Sequence, residues 1–237
     1  MTNKKAIRGS FFHLLKDPWP LEDNEKESAQ YIQDGLLLID DGIISKFGTY
    51  QDLCQDINGY EVEHKTEHLI VPGFVDGHIH FPQVRVMGAY GNQLLDWLQN
   101  SIFPEELKYR DREYATTAAQ YFFQALLGAG TTTCQAFTTS SPISTEVFFE
   151  EAIKRDMRVI AGLTGIDKFA PEDYCISPND FYNESKKLIE KYHGLNRCLY
   201  AITPRFAVGC SEEMMQACHR LKQEYPDCWI NTHISEN

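Results

Sequence analysis

The chain has 237 residues, of which 43% are hydrophobic and 24% charged, the proportions of an ordinary globular protein with room for one large domain or a domain plus a smaller one. Its formal net charge of −12 and pI near 5.1 argue against a nucleic-acid backbone or an anionic membrane as partner, and leave a neutral small molecule open. No secretory leader is expected, because Lys4, Lys5 and Arg8 are followed only by Phe11-Phe12 before His13, and no apolar run is long enough to span a bilayer. The seven cysteines (54, 134, 175, 198, 210, 218, 228) are odd in number and form no C-x-x-C, which suits reduced, mostly buried thiols in a cytoplasmic protein.

Residues 1–68 read as a small β domain. Short strands are expected at 6–12, 35–39 and 43–48, with Asp40-Asp41-Gly42 as a hairpin turn, since glycine accepts positive φ at no steric cost. The acidic stretch from Glu22 to Glu27 reads as an exposed loop. Leu69–His80 reads as one strand ending in His78-Ile79-His80. Thereafter strands and helices alternate through residues 69–237. Strands are expected at 131–137, 157–163, 197–203 and 228–233. A long helix is expected from Glu105 to Leu127, ended by Gly128 and Gly130. Further helices are expected after Ser177-Pro178 and after Ser211, each serine acting as N-cap.

Strand–helix alternation predicts a parallel α/β array. A doubly wound sheet and a (β/α)8 barrel both fit, and the placement of polar residues favours the barrel. His80, Arg205 and His233 fall at or just past strand C-termini, where barrels build their sites, and the first strand–helix turn lacks the glycines of a dinucleotide fold. A barrel needs about 250 residues of its own. Only five strands are counted here, so the chain is expected to be the N-terminal portion of a longer protein, a barrel truncated after about strand 5; the alternative is a small five-stranded α/β domain.

Side chains alternate along a strand, so His78 and His80 share a face and are placed to hold one metal ion. Zinc is the first choice for nitrogen ligands, although iron and manganese also accept them. His233 is a third candidate ligand. Glu236, three residues later, could move a proton to and from water at the metal, and on spacing alone it reads equally as a solvated residue. His64 and His68 are spaced i, i+4, yet Glu61, Glu63, Lys65 and Glu67 around them indicate a solvated connector. His13, His193 and His219 carry no supporting pattern. There is no G-x-S-x-G nucleophile and no H-x-E…P-C-x-x-C signature.

From about Arg8 to Asn237 the chain resembles the guanine deaminases of the amidohydrolase superfamily. The resemblance is carried by residues 72–83 (PGFVDGHIHFPQ), 88–91 (GAYG), 94–98 (LLDWL), 103–106 (FPEE), 130–133 (GTTT), 202–206 (ITPRF) and 232–237 (THISEN). His-x-His marks only the superfamily; the Pro-Gln after it, Thr-Pro-Arg-Phe and His-Ile-Ser-Glu-Asn point to guanine. The resemblance implies a metal-dependent-hydrolase (β/α)8 TIM-like barrel with a small β-sandwich domain. It also implies one zinc per subunit held by His78, His80 and His233, and Glu236 as proton shuttle. Gln83, Arg205 and Phe206 would bind the purine. Arg offers a planar fork of donors suited to the O6/N7 edge, Gln an amide that donates and accepts, and Phe a flat ring. The implied reaction is hydrolysis of guanine to xanthine and ammonia in a cytoplasmic homodimer. A further His and an Asp ligand are expected after Asn237. Within Ile166–Pro171, Phe169 stands where a small polar residue is expected. Other readings are an amidohydrolase acting on a triazine, pterin or different aminopurine, and a non-catalytic scaffold of the same fold.

Overall fold

The computed structural model describes residues 3–17, 28–91 and 93–235, and the acidic stretch from Glu22 to Glu27 lies outside them. The chain divides into two compact units, Met1–Pro72 and Gly73–Asn237.

The first unit is one four-stranded sheet of β1 (Lys4–Leu14), β2 (Ala29–Asp40), β3 (Ile43–Thr49) and β4 (Glu61–Ile70), in the order β3-β2-β1-β4. The β2–β3 hairpin turns at Asp41 (φ 50°) and Gly42 (φ 85°), the two positive-φ positions of a tight right-twisted hairpin. Ala6, Leu36 and Leu38 are buried beneath Tyr50, Leu53, Ile57 and Tyr60, which come from the helical turn α1 (Tyr50–Leu53) and the segment after it. Residues 61–68, expected as a connector, form most of β4, which pairs parallel with β1. Its side chains are exposed on both faces, so no apolar alternation announces it, and its charges suit a sheet edge. The expected strand Leu69–His80 is two strands in two units. Ile70 ends β4, and β5 (Phe74–His80) starts after Pro72-Gly73, because proline supplies no ladder donor.

The second unit is a parallel sheet of β5, β6 (Thr131–Phe137), β7 (Arg158–Gly162), β9 (Cys198–Pro204) and β10 (Trp229–Ile230), joined side by side in chain order. The two-residue β8 (Thr164–Gly165) continues β7 along β9. A doubly wound sheet reverses its strand order at a switch point; this one does not, as in a barrel. Between β7 and β8 the ladder breaks at Leu163, whose amide donates to the Tyr200 hydroxyl (3.1 Å). A Cβ on Gly162 would lie 1.7 Å from the Ala201 carbonyl oxygen, so only glycine permits this approach. The expected strand 228–233 is regular only over Trp229–Ile230; His233 rejoins β9's extension through an isolated bridge to Phe206.

Helices α2 (Leu94–Trp97), α3 (Phe103–Leu107), α4 (Arg112–Gly128), α5 (Pro142–Lys154), α6 (Pro178–Tyr192) and α7 (Glu212–Glu224) fill the connections. The expected helix 105–127 is interrupted. Asp111 is extended (ψ 121°) and its carboxylate caps α4 by accepting from the Tyr114 amide (2.8 Å). Ser177 and Ser211 cap α6 and α7 as expected, accepting from the Asp180 and Met214 amides. Phe81, Phe122, Phe123, Phe148, Phe149 and Tyr200 anchor a continuous apolar core in this unit. All seven cysteines are free and five are buried. Among the described residues no helix is long and apolar enough to cross a membrane.

Candidate active site

The parallel strands bring their C-terminal ends together at one face. His80 is the last residue of β5, Phe137 the last of β6, Arg205 directly follows β9, and His233 lies just past β10. Two-residue periodicity turns His78 and His80 the same way, and the ligand nitrogens of His78, His80 and His233 all lie within 4.8 Å of one another. His80 Nε2 and His233 Nε2 are 2.9 Å apart. The ring of Phe137 stacks on both imidazoles, with centroids 4.8 Å from His80 and 4.1 Å from His233.

The His233 ring is oriented from behind. Its Nδ1 lies 2.7 Å from the Arg205 carbonyl oxygen, which can only accept, so Nδ1 carries the proton and Nε2 keeps its lone pair. The His80 imidazole is held neutral, its pKa pushed down to about 2 by burial first and then by the Arg205 charge and the neighbouring imidazoles. Three imidazoles whose ring nitrogens lie this close together are a donor set that fits zinc or a similar divalent ion.

Beside the histidines is a cavity of about 180 Å³ lined by His78, His80, Gln83, Leu94, Trp97, Leu98, Arg205 and His233. Gln83 follows β5 on a short 3₁₀ turn, and its Nε2 reaches both His80 Nδ1 (3.1 Å) and Glu106 Oε1 (3.2 Å). The Arg205 guanidinium is nearly inaccessible, at 2% exposure. Its Nη1 donates to Glu106 Oε2 (2.8 Å) and to the Tyr174 hydroxyl (3.0 Å), and Nη2 donates to Glu106 Oε1 (3.3 Å). The Tyr174 hydroxyl in turn donates to Glu106 Oε2. Burial, followed by the Glu106 charge, holds the Tyr174 phenol well above its usual range, so it remains a donor.

The structure therefore brings together His78, His80, His233, Gln83 and Arg205 around one cavity. Phe206 is adjacent and buried, packing with Leu98, Ile102, Phe103, Ile166 and Tyr174, while the aromatic side chain that lines the cavity is Trp97. Glu236 lies outside the described residues. Phe169 is 68% exposed with φ 55°, and its carbonyl accepts from Gln99 Nε2 (3.1 Å). Glu106, Tyr174, Trp97 and Phe137 also belong to this site or its wall, and no local sequence signal assigns any of them a role. Glu106 and Trp97 lie within the segments that carry the family resemblance and Phe137 ends an expected strand, while the pairing of Glu106 with Arg205 spans 99 residues.

Residues 69–237 match the model of the amidohydrolase family. The chain is 45% identical to the guanine deaminase of Escherichia coli over 98% of its own length and 53% of that protein's. Among solved structures, guanine deaminase from Bradyrhizobium japonicum is 57% identical with a TM-score of 0.94, covering 99% of this chain and 51% of that one. Guanine deaminase from C. acetobutylicum with bound guanine in the active site is 26% identical with a TM-score of 0.86, covering 99% and 54%. The chain thus spans about half the length of the relatives it matches.

Proposed function

The chain belongs to the amidohydrolase family, and from its site we propose that the protein carrying it hydrolyses guanine to xanthine and ammonia. The observation that carries this reading is the meeting of His78, His80 and His233 with Gln83 and Arg205 around one small cavity. The likeness to guanine deaminases over nearly the whole chain supports it.

His78, His80 and His233 would hold zinc. When bound, the ion would supply Lewis-acid chemistry and lower the pKa of a water to about 7. The protein residues do the rest. The Arg205 carbonyl keeps the His233 tautomer that exposes Nε2. The Arg205 guanidinium and the Gln83 amide, which both line the cavity, are assigned to the polar edge of the purine. Trp97 and Leu98 supply apolar contact to the flat ring and Phe206 backs that wall. Glu236 is assigned the proton transfer from water to the departing amine. The overall change balances: water adds at the amino-bearing carbon, ammonia leaves, and the ring ends as xanthine. The homodimer and the cytoplasmic setting that suits seven free thiols belong to the same proposal.

The test is the ultraviolet spectrum of guanine incubated with the zinc-loaded full protein. Conversion to the xanthine spectrum with equimolar ammonia is expected. Zinc-loaded protein that leaves guanine unchanged would move the substrate elsewhere among cyclic amidines.

A further inference from the structure

We infer that Glu106 is the positioning residue of this site, a buried carboxylate that fixes the two cavity residues assigned to the purine. The inference rests on the proposed roles of Gln83 and Arg205.

Glu106 is 1% exposed and is not itself in the cavity wall. Each of its oxygens takes two donors. Oε2 accepts from Arg205 Nη1 and the Tyr174 hydroxyl, and Oε1 accepts from Arg205 Nη2 and Gln83 Nε2. Arg205 and Gln83 both line the cavity, and Gln83 also touches the His80 ring. One carboxylate therefore ties together the guanidinium, the amide and, through the amide, a candidate metal ligand.

The framework around it is stiff. The Arg205 guanidinium sits 5.2 Å from the Phe103 ring centroid and 5.8 Å from that of Tyr174. Tyr174 is pinned at its other end, its carbonyl accepting from the Ser140 hydroxyl (2.5 Å). The adjacent Glu105 points away on the helix and serves Lys108 and the Tyr114 hydroxyl. Of the two adjacent glutamates, only Glu106 bonds to the cavity residues Arg205 and Gln83.

A buried ion pair is poor value as a stabilising device, because taking both charges out of water offsets most of their attraction. Its geometry is another matter. A bidentate carboxylate allows the guanidinium plane one orientation, and that plane decides where its remaining N–H vectors point. Without the Glu106 charge, Arg205 keeps its cation in a dry site and turns toward the nearest acceptor.

The test compares Glu106→Gln, Tyr174→Phe and Glu105→Gln in the zinc-loaded full protein, by KM and kcat for guanine and by zinc per chain. For Glu106→Gln, KM should rise about 10- to 100-fold with zinc per chain unchanged and kcat altered less. Tyr174→Phe should move KM the same way by less, and Glu105→Gln should leave it alone. Wild-type KM in folded Glu106→Gln and Tyr174→Phe proteins would overturn the inference. Should Glu106→Gln fail to fold, Tyr174→Phe decides alone. If the wild type itself leaves guanine untouched, the proposed function falls, and crystal structures of the zinc-loaded wild type and whichever variant folds decide the positioning role. A displaced Arg205 guanidinium and Gln83 amide would uphold it; unmoved side chains would overturn it.

Discussion

Glu106 and Arg205, 99 residues apart in the chain, form an ion pair with side-chain exposures of 0% and 2%. Arg205→Ala removes one half of it and leaves a carboxylate buried among donors meant for an anion. The variant should lose about 3–5 kcal/mol of stability, measured by urea unfolding, as well as guanine affinity. The double variant Arg205→Met/Glu106→Leu should recover much of that stability without recovering guanine binding. A double variant no more stable than Arg205→Ala would show that the charges themselves hold this region together.

The three imidazoles are proposed to act as one site, so removing any of them should empty it. His80→Ala and His233→Ala should each reduce zinc from about one ion per chain to a small fraction, by metal analysis after dialysis. Phe137→Ala leaves every ligand in place but removes the ring stacked on His80 and His233, so it should weaken zinc binding without abolishing it. Full zinc occupancy in His233→Ala would remove His233 from the ligand set.

Glu236→Gln keeps the shape of the side chain and removes its capacity to take a proton. Zinc content should stay at the wild-type level while kcat falls by ~10² or more. An unchanged kcat would remove Glu236 from the proton path.

Away from the site, Glu151 is 2% exposed and accepts from Lys154 Nζ (2.6 Å) and Arg155 Nη1 (2.6 Å). Burial raises its pKa, but the two cations outweigh burial, and the carboxyl titrates below its ordinary 4.5. As pH falls, the unfolded chain therefore takes up this proton before the folded one does. The stabilisation is complete above pH 4.5 and is lost as pH drops through the folded value. Glu151→Gln should cost about 1–2 kcal/mol at pH 7 and progressively less in acid, by thermal unfolding across pH. A cost that stays constant with pH would mean that packing, rather than charge, is what the carboxylate provides.

The readable parts of this molecule are those whose signal is local. His78 and His80 share a face because strands alternate, and Ser177 and Ser211 cap helices because their hydroxyls accept from the amides of Asp180 and Met214. The two-residue turn at Asp41-Gly42 announces itself through its need for positive φ. Local signals also mark two boundaries that the apolar pattern runs across. Pro72 separates β4 from β5 and Asp111 restarts a helix, while apolar periodicity continues on either side of both residues. β4 is hidden because it is an edge strand held by backbone pairing, with exposed and mostly polar side chains. The Glu106–Arg205–Tyr174 cluster has no local signature at all. It depends on helix α3 and the segments carrying Tyr174 and Arg205 meeting at one end of a parallel sheet, and tertiary geometry alone brings them within bonding distance.

The central claim is that the three-histidine site, with Arg205 and Gln83 beside it, hydrolyses guanine. The most direct measurement is mass spectrometry of the product formed by the zinc-loaded full protein in ¹⁸O-labelled water, with a chelator-treated sample alongside. The account predicts xanthine carrying one labelled oxygen, one ammonia per xanthine, and no product after chelation. Guanine recovered unchanged from protein with zinc bound, or product formation that survives complete metal removal, would contradict it.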